Sequence, residues 1–120
     1  MNTKTFYSNG KLLLTGEYVV LDGALALAVP TKFGQSLNIE TIAESRINWK
    51  SIDYKGETWF EASFTITPQE LVVENCNHTQ IAERLLQIFN AVQKLNPSFL
   101  KKEHGFTIKT QLSFQENWGL

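Results

Sequence analysis

Apolar residues alternate with polar ones in the middle and at the end of the chain. In Thr58–Thr67 the even-numbered residues from 60 to 66 are apolar and face away from Glu, Ser and Thr, which is the pattern of a half-buried antiparallel strand. Arg46–Tyr54 precedes it, and Lys55-Gly56 between the two segments predicts a hairpin. The alternation returns in Phe106–Phe114, which predicts a last strand.

The spacing changes to that of a helix in His78–Leu95. Apolar residues recur there every three to four positions, as on one face of an amphipathic helix. Asn77 with Gln80 three residues later predicts a capping box at the start. Asn96-Pro97 predicts the end, because a residue before proline is biased away from helical geometry.

The first half of the chain predicts several short strands. Asp22-Gly23 between apolar runs is a strong turn dipeptide and predicts a tight hairpin, and Pro30 is expected to stop a central strand. The predicted strands are Thr5–Tyr7, Lys11–Thr15, Tyr18–Leu21, Leu25–Val29 and Phe33–Ile42. Many strands followed by one good helix and another strand predict an α+β fold with a mostly antiparallel sheet and one main amphipathic helix.

Composition limits the function classes. The chain has 120 residues, 42% of them hydrophobic and 19% charged, with a net charge of −1; this suits one globular domain and offers no basic stripe for nucleic acid. One cysteine excludes an intrachain disulfide, and no Cys/His cluster has the spacing of zinc ligands. The first residues lack the layout of a signal peptide and no apolar run is long enough to span a membrane, so we expect a cytoplasmic protein.

Polar residues and glycines interrupt the apolar stretch near the start of the chain. Ser8–Gly10 predicts a tight turn that presents Lys11 at the start of a strand, where an ammonium group can reach a phosphate. Gly16 predicts a bend that turns Glu17 out of the pleat. Spacing alone favours a simpler interpretation, in which Lys11 flanks a strand in water and Glu17 lies at a solvated bulge. No Walker A loop or GxGxxG motif is present.

The same stretch resembles the first motif of the GHMP kinases, the family of galactokinase, homoserine kinase, mevalonate kinase and phosphomevalonate kinase. That motif has proline, glycine and a basic residue, four residues, Gly-Glu and His or Tyr, then an apolar run with a turn and an Ala/Leu-rich strand. The segments Asn9–Leu21 and Gly23–Val29 follow this order. Asn9 replaces the usual proline, and Tyr18 is more similar to phosphomevalonate kinase than to mevalonate kinase.

The resemblance implies a fold and also implies how much of a kinase domain the chain covers. It implies a sheet of the ribosomal protein S5 domain 2 type. In the family, a strand such as Phe106–Phe114 leads into a G-L-G-S-S loop whose helix N-terminus holds the ATP phosphates. Gly119-Leu120 matches the first two residues of that loop. We therefore expect residues 1–120 to be a single domain, the N-terminal part of a GHMP kinase domain truncated at the start of the phosphate-binding loop.

The resemblance also implies roles for individual residues. ATP and Mg²⁺ are the cofactors expected of the full-length protein, and this chain is expected to hold neither firmly and to be inactive alone. The implied catalytic residues are Lys11 and Glu17; the substrate-binding residues are Ser8, Asn9, Gly10 and Tyr18; the nucleotide-binding residues are Gly119 and Leu120. No metal ligand is assigned within the chain.

Two main hypotheses about function remain open, beside a third in which the resemblance is to a kinase-like paralogue that has lost catalysis. In the first, the full-length protein transfers a phosphoryl group from ATP to a small molecule, mevalonate or phosphomevalonate in isoprenoid synthesis. In the second, the chain is a non-catalytic α+β binding or assembly module related to the kinase fold. Neither involves nucleic acid or a membrane. Exposed apolar side chains and strand edges drive association, so we expect a homodimer or higher oligomer.

Overall fold

Six strands and one long helix make up the structure, a computed structural model that describes residues 3–16, 19–100, 104–118 and 120. The elements are β1 Thr3–Thr15, β2 Leu27–Ile42, β3 Arg46–Ile52, β4 Thr58–Ile66, β5 Leu71–Cys76, α1 Thr79–Leu95 and β6 Gly105–Leu112. Two 3₁₀ helices cover Val19–Asp22 and Glu116–Trp118. Among the residues described, no helix is both long and apolar enough to cross a membrane.

The strands form one mixed sheet in the order β1-β2-β6-β3-β4-β5. Neighbouring strands are antiparallel except β3 and β6, which run parallel. β6 follows α1 in the chain and lies in the middle of the sheet, between β2 and β3. The prediction of an α+β fold with a mostly antiparallel sheet and one main helix is confirmed.

The core lies between α1 and one face of the sheet. Helix residues Ala82, Leu85 and Phe89 are buried there against Phe60 and Phe64, which are at most 1% exposed. Full burial of a phenylalanine side chain stabilises the fold by about 1.5–3 kcal/mol. The alternating apolar face predicted for residues 58–67 is the core face of β4.

The ends of two predicted elements are held by side chains. Helix α1 begins one residue later than the capping box requires, because His78 is the N-cap and its Nδ1 accepts from the Ile81 N–H at 3.4 Å. Asn77 Oδ1 instead accepts from the Glu61 N–H, so the prediction of an Asn77 cap was wrong. The β3–β4 hairpin is confirmed, and Gly56 at its tip has a φ of 87°.

The predictions for residues 8–23 were wrong in three places. Ser8–Gly10 is not a turn, because β1 runs unbroken through it. The segment predicted as strand Tyr18–Leu21 contains a 3₁₀ helix over Val19–Asp22, and Gly23 follows it in a turn, so no tight Asp22-Gly23 hairpin forms. The pairing of β1 with β2 is closed by the longer connection of residues 16–26.

Pro30 does not stop its strand, since β2 continues to Ile42. The reason is the extent of the neighbouring strand: β6 pairs with β2 only from Gln35 onward. Pro30 therefore has β1 on one side and no strand on the other, and its missing N–H breaks no ladder there. The strand β5 lies in a segment to which the alternation assigned no element.

Candidate functional site

The residues that the sequence singled out lie on β1, at one edge of the sheet. Ser8 pairs with Gln35 and Asn9 with Gly34 of β2, and Lys11 pairs with Pro30. Because successive side chains of a strand point to opposite faces, Ser8 and Asn9 do not line the same surface. Lys11 is exposed at the strand edge. Ser8, Asn9 and Gly10, the residues predicted to edge an acceptor site, are consecutive along β1.

An irregularity in the pairing lies at the centre of this region. Between the pairs at Asn9 and Lys11, β1 has one residue and β2 has three, Thr31–Phe33. Asn9 Nδ2 donates to the Thr31 carbonyl at 2.7 Å, and the Tyr7 hydroxyl donates to the Lys32 carbonyl at 2.9 Å. These bonds hold the widened segment Thr31–Phe33, which we call the β2 bulge, in a defined shape beside Gly10.

The end of the chain packs against the β2 bulge. Three hydrogen bonds join Gly34 and Ser113. The Gly34 N–H donates to Ser113 Oγ at 2.8 Å, and the Gly34 carbonyl accepts from the Ser113 N–H at 3.0 Å and from Ser113 Oγ at 3.2 Å. Beyond them, the Trp118 ring meets the Phe33 ring edge-on with centroids 5.4 Å apart. The chain therefore turns back toward β1 after β6.

This turn brings Leu120 against Gly10. A Cβ added to Gly10 would lie 2.9 Å from Leu120 Cβ and 3.1 Å from Thr31 Oγ1, which is closer than side chains normally approach. Gly10 has no positive φ, so the glycine is required by this close approach and not by its backbone angle. Two predicted site segments 110 positions apart in sequence are thus in contact.

Positive charge is present around this contact. Lys11 and Lys32 are both exposed, and Lys32 Nζ lies 5.6 Å from the centre of the Phe33 ring. Within the described ranges, the side-chain ion pairs join Arg46 to Glu44 and Glu74, and neither Lys11 nor Lys32 takes part in one. The described residues contain no group of three or more His, Cys, Asp or Glu that could hold a metal ion.

Three predicted site residues, Glu17, Tyr18 and Gly119, lie outside the described residues. The predicted break at Gly16 is confirmed, because β1 ends at Thr15 and Gly16 has a φ of 78°. The sequence patterns did not predict the β2 bulge or the position of Trp118. A usable signal was present in Pro30 and Gly34, which frame the bulge inside an otherwise strand-like segment.

A concave region, separate from the residues around Lys11, lies on the sheet face opposite α1. It is a polar trough of about 570 Å³, and none of the predicted site residues lines it. Lys50 and Lys109 are direct neighbours on β3 and β6, and Lys50 also pairs with Glu61 of β4. The other polar residues that line the trough are Asn48, Ser63, Asn75, Asn77 and Thr107.

The same face of the sheet carries an exposed ion pair at the start of β3. Arg46 and Glu74 are 2.7 Å apart, and Thr65 Oγ1 also donates to Glu74 at 2.9 Å. The hydrogen bond from Arg46, the bond from Thr65 and the Arg46 charge together lower the pKa of Glu74 below its ordinary value. The pair ties β3 to β5 across β4 and lies away from Lys11.

No family model, no curated protein and no solved structure matches the chain.

Proposed function

We propose that this chain forms the acceptor side of a phosphoryl-transfer site in a GHMP-type small-molecule kinase, with mevalonate or phosphomevalonate as the acceptor and with a sheet of the ribosomal protein S5 domain 2 type. The contact between Gly10 and Leu120 supports the proposal. It joins the lysine-bearing motif on β1 to the position where the resemblance expects the phosphate-binding loop to start.

The proposed role of Lys11 is electrostatic. Phosphoryl transfer depends on positioning and charge neutralisation more than on covalent chemistry, and an exposed ammonium without a carboxylate partner among the described residues can bind a phosphate or carboxylate of the acceptor. Asn9 shapes the neighbouring surface by holding the β2 bulge. Gly10 lets the end of the chain approach this surface closely.

The cofactors expected from the resemblance fit this chain only in part. ATP would use backbone N–H groups around Gly119 and Leu120, and Gly119 is outside the described residues. The described residues contain no group of three or more His, Cys, Asp or Glu that could hold a metal ion, and the proposal gives Mg²⁺ no ligand within this chain. We expect this chain alone to release no ADP from MgATP with mevalonate or phosphomevalonate; turnover above background would contradict that expectation.

Binding of the acceptor tests the proposal directly. We expect phosphomevalonate to shift the backbone NMR signals of residues 8–11 in the ¹⁵N-labelled chain. Lys11→Met removes a charge-assisted hydrogen bond of about 1.5–3 kcal/mol, so it should weaken binding by roughly 10- to 100-fold. Lys4→Met is the matched control, because Lys4 is exposed on the same strand, and it should change affinity by less than about twofold.

The same titration decides between the two hypotheses. Equal effects of Lys11→Met and Lys4→Met would reject the role of Lys11. The second candidate is a non-catalytic binding module, and the polar trough favours it because the trough offers several amide and hydroxyl groups and two neighbouring lysines. Shifts confined to trough residues such as Asn48 and Ser63 would support that module and count against the kinase site.

A further inference from the structure

Part of β1 and β2 extends beyond the rest of the sheet as a two-stranded ribbon. β6 pairs with β2 from Gln35 onward, so within the described residues positions 27–34 of β2 pair with no strand other than β1. Leu12 and Val29 are directly paired and share one face of this ribbon. Leu14 and Leu27 are two positions further along on either strand, toward the connection of residues 16–26.

Seven aliphatic side chains are exposed on the ribbon and its connection. We call them the apolar ribbon surface: Leu12, Leu14, Val19, Leu21, Leu25, Leu27 and Val29. Their exposure is lowest at Val29, with 39%, and highest at Leu21 and Leu25 in the connection, with 88% and 97%. These two leucines contribute almost nothing to the core of their own chain.

The size of this surface matches an interface. At roughly 100 Å² for a fully exposed leucine, the seven side chains present about 400–500 Å² of apolar area. A standard interface takes about 800 Å² from each partner, and roughly 60% of that area is apolar. The apolar ribbon surface therefore supplies about the full apolar share of one side of a stable dimer.

The geometry favours packing of ribbon faces over pairing of strand edges. In the part of the chain that the structure describes, no strand lies beside the outer edge of β1. This edge strand carries Lys4 and Lys11, and its pairing with β2 is irregular at Asn9/Lys11 and at Leu13/Thr15. Lysines and bulges on an edge strand hinder the addition of another strand. The apolar ribbon surface has no such protection, because its seven side chains are all aliphatic.

We propose that the apolar ribbon surface is the interface of a homodimer, in which the ribbons of two copies pack face to face across a two-fold axis. A surface of uncharged leucines and valines is self-complementary, as an interface between identical copies requires. Each substitution changes such an interface twice, once in each copy. The proposal does not depend on the kinase hypothesis.

Sedimentation equilibrium of the 120-residue chain tests the dimer. Between about 1 and 100 µM we expect the mass of a dimer, twice the 13.7 kDa of the chain. The double variant Leu21→Glu/Leu25→Glu should raise the dissociation constant at least about 100-fold. Both positions are so exposed that the substitutions should leave the fold intact, which far-UV circular dichroism checks.

Leu95→Glu is the matched control, because Leu95 is 87% exposed at the end of α1 and lies outside the ribbon. It should dimerise like the wild type. A wild-type monomer at about 100 µM would overturn the proposal, and so would a double variant that dimerises normally or a Leu95→Glu chain that dissociates equally. A monomer that sediments with phosphatidylcholine vesicles would assign the surface to lipid and would also overturn it.

Discussion

Phe89 joins α1 to the sheet through an aromatic cluster, and its truncation should be among the most destabilising changes in the chain. The side chain is 5% exposed. Its ring meets Phe64 edge-on with centroids 5.6 Å apart and Trp49 edge-on at 5.9 Å, and it stacks on Phe99 at 6.4 Å. Phe89→Ala removes all three contacts and leaves a cavity under the helix.

The expected loss is large compared with the stability of a small domain. Phe→Ala in a core costs about 3–5 kcal/mol, and each edge-to-face aromatic pair contributes about 0.5–1.5 kcal/mol beyond its buried area. Because Phe89 makes two such pairs, we expect a loss of about 4 kcal/mol from a total of 5–15 kcal/mol. With a urea m-value of about 1–3 kcal/mol/M, the midpoint should fall by roughly 1.3–4 M.

Urea unfolding followed by circular dichroism measures this loss, and Ile88→Ala is the neighbouring control. Ile88 is 50% exposed, so its truncation should cost about 1 kcal/mol or less. Phe89→Leu keeps much of the volume and should cost less than Phe89→Ala, which keeps the test usable if the alanine variant does not fold. A Phe89→Ala variant as stable as Ile88→Ala would refute the packing of α1 described above.

Two further predictions concern other parts of the sheet. A Cβ at Gly105 would collide with the backbone oxygen of Arg46, so Gly105→Ala should lower the free energy of unfolding by about 3 kcal/mol. Gly56 has no atom near its Cβ position but a φ of 87°, so Gly56→Ala should lose only about 1 kcal/mol in the same urea assay. Equal losses for the two variants would contradict the steric reasoning. Arg46 holds the pKa of Glu74 below its ordinary value, so the stabilisation is present above the unfolded pKa and disappears as pH falls through the folded pKa. Thermal melts should therefore show Glu74→Gln destabilised at pH 7, with a difference from the wild type that shrinks as pH falls below the ordinary value of 4.5. A difference that does not shrink in acid would reject the ion pair as its cause.

Local pattern was sufficient for the elements whose environment is simple. The alternation from Phe60 to Ile66 and the helical spacing of His78–Leu95 each predicted the correct element and its core face. In both cases one face is buried and the other is exposed, so the period in the sequence mirrors the burial directly. The turn at Gly56 was also predicted from adjacent residues, because glycine readily adopts the positive φ that is found there.

The errors arose where a distant segment determines the local structure. Pro30 stays within a strand because β6 ends before reaching it, and β6 comes some 80 residues later in the chain. Asn77 does not cap α1 because β4 occupies its side chain through the Glu61 N–H. The residues next to Pro30 and Asn77 do not indicate these contacts, so propensity and capping rules could not predict them.

The candidate site shows the same division. The sequence by itself determined which residues are unusual, since Gly10 and Lys11 stand out in an apolar stretch and resemble a kinase motif. Only the tertiary structure decided what surrounds them: the β2 bulge held by Asn9 and Tyr7, and the return of the chain that brings Leu120 to Gly10. Periodicity records which face of an element is buried, whereas contacts between distant segments depend on strand order and register, which no local pattern encodes.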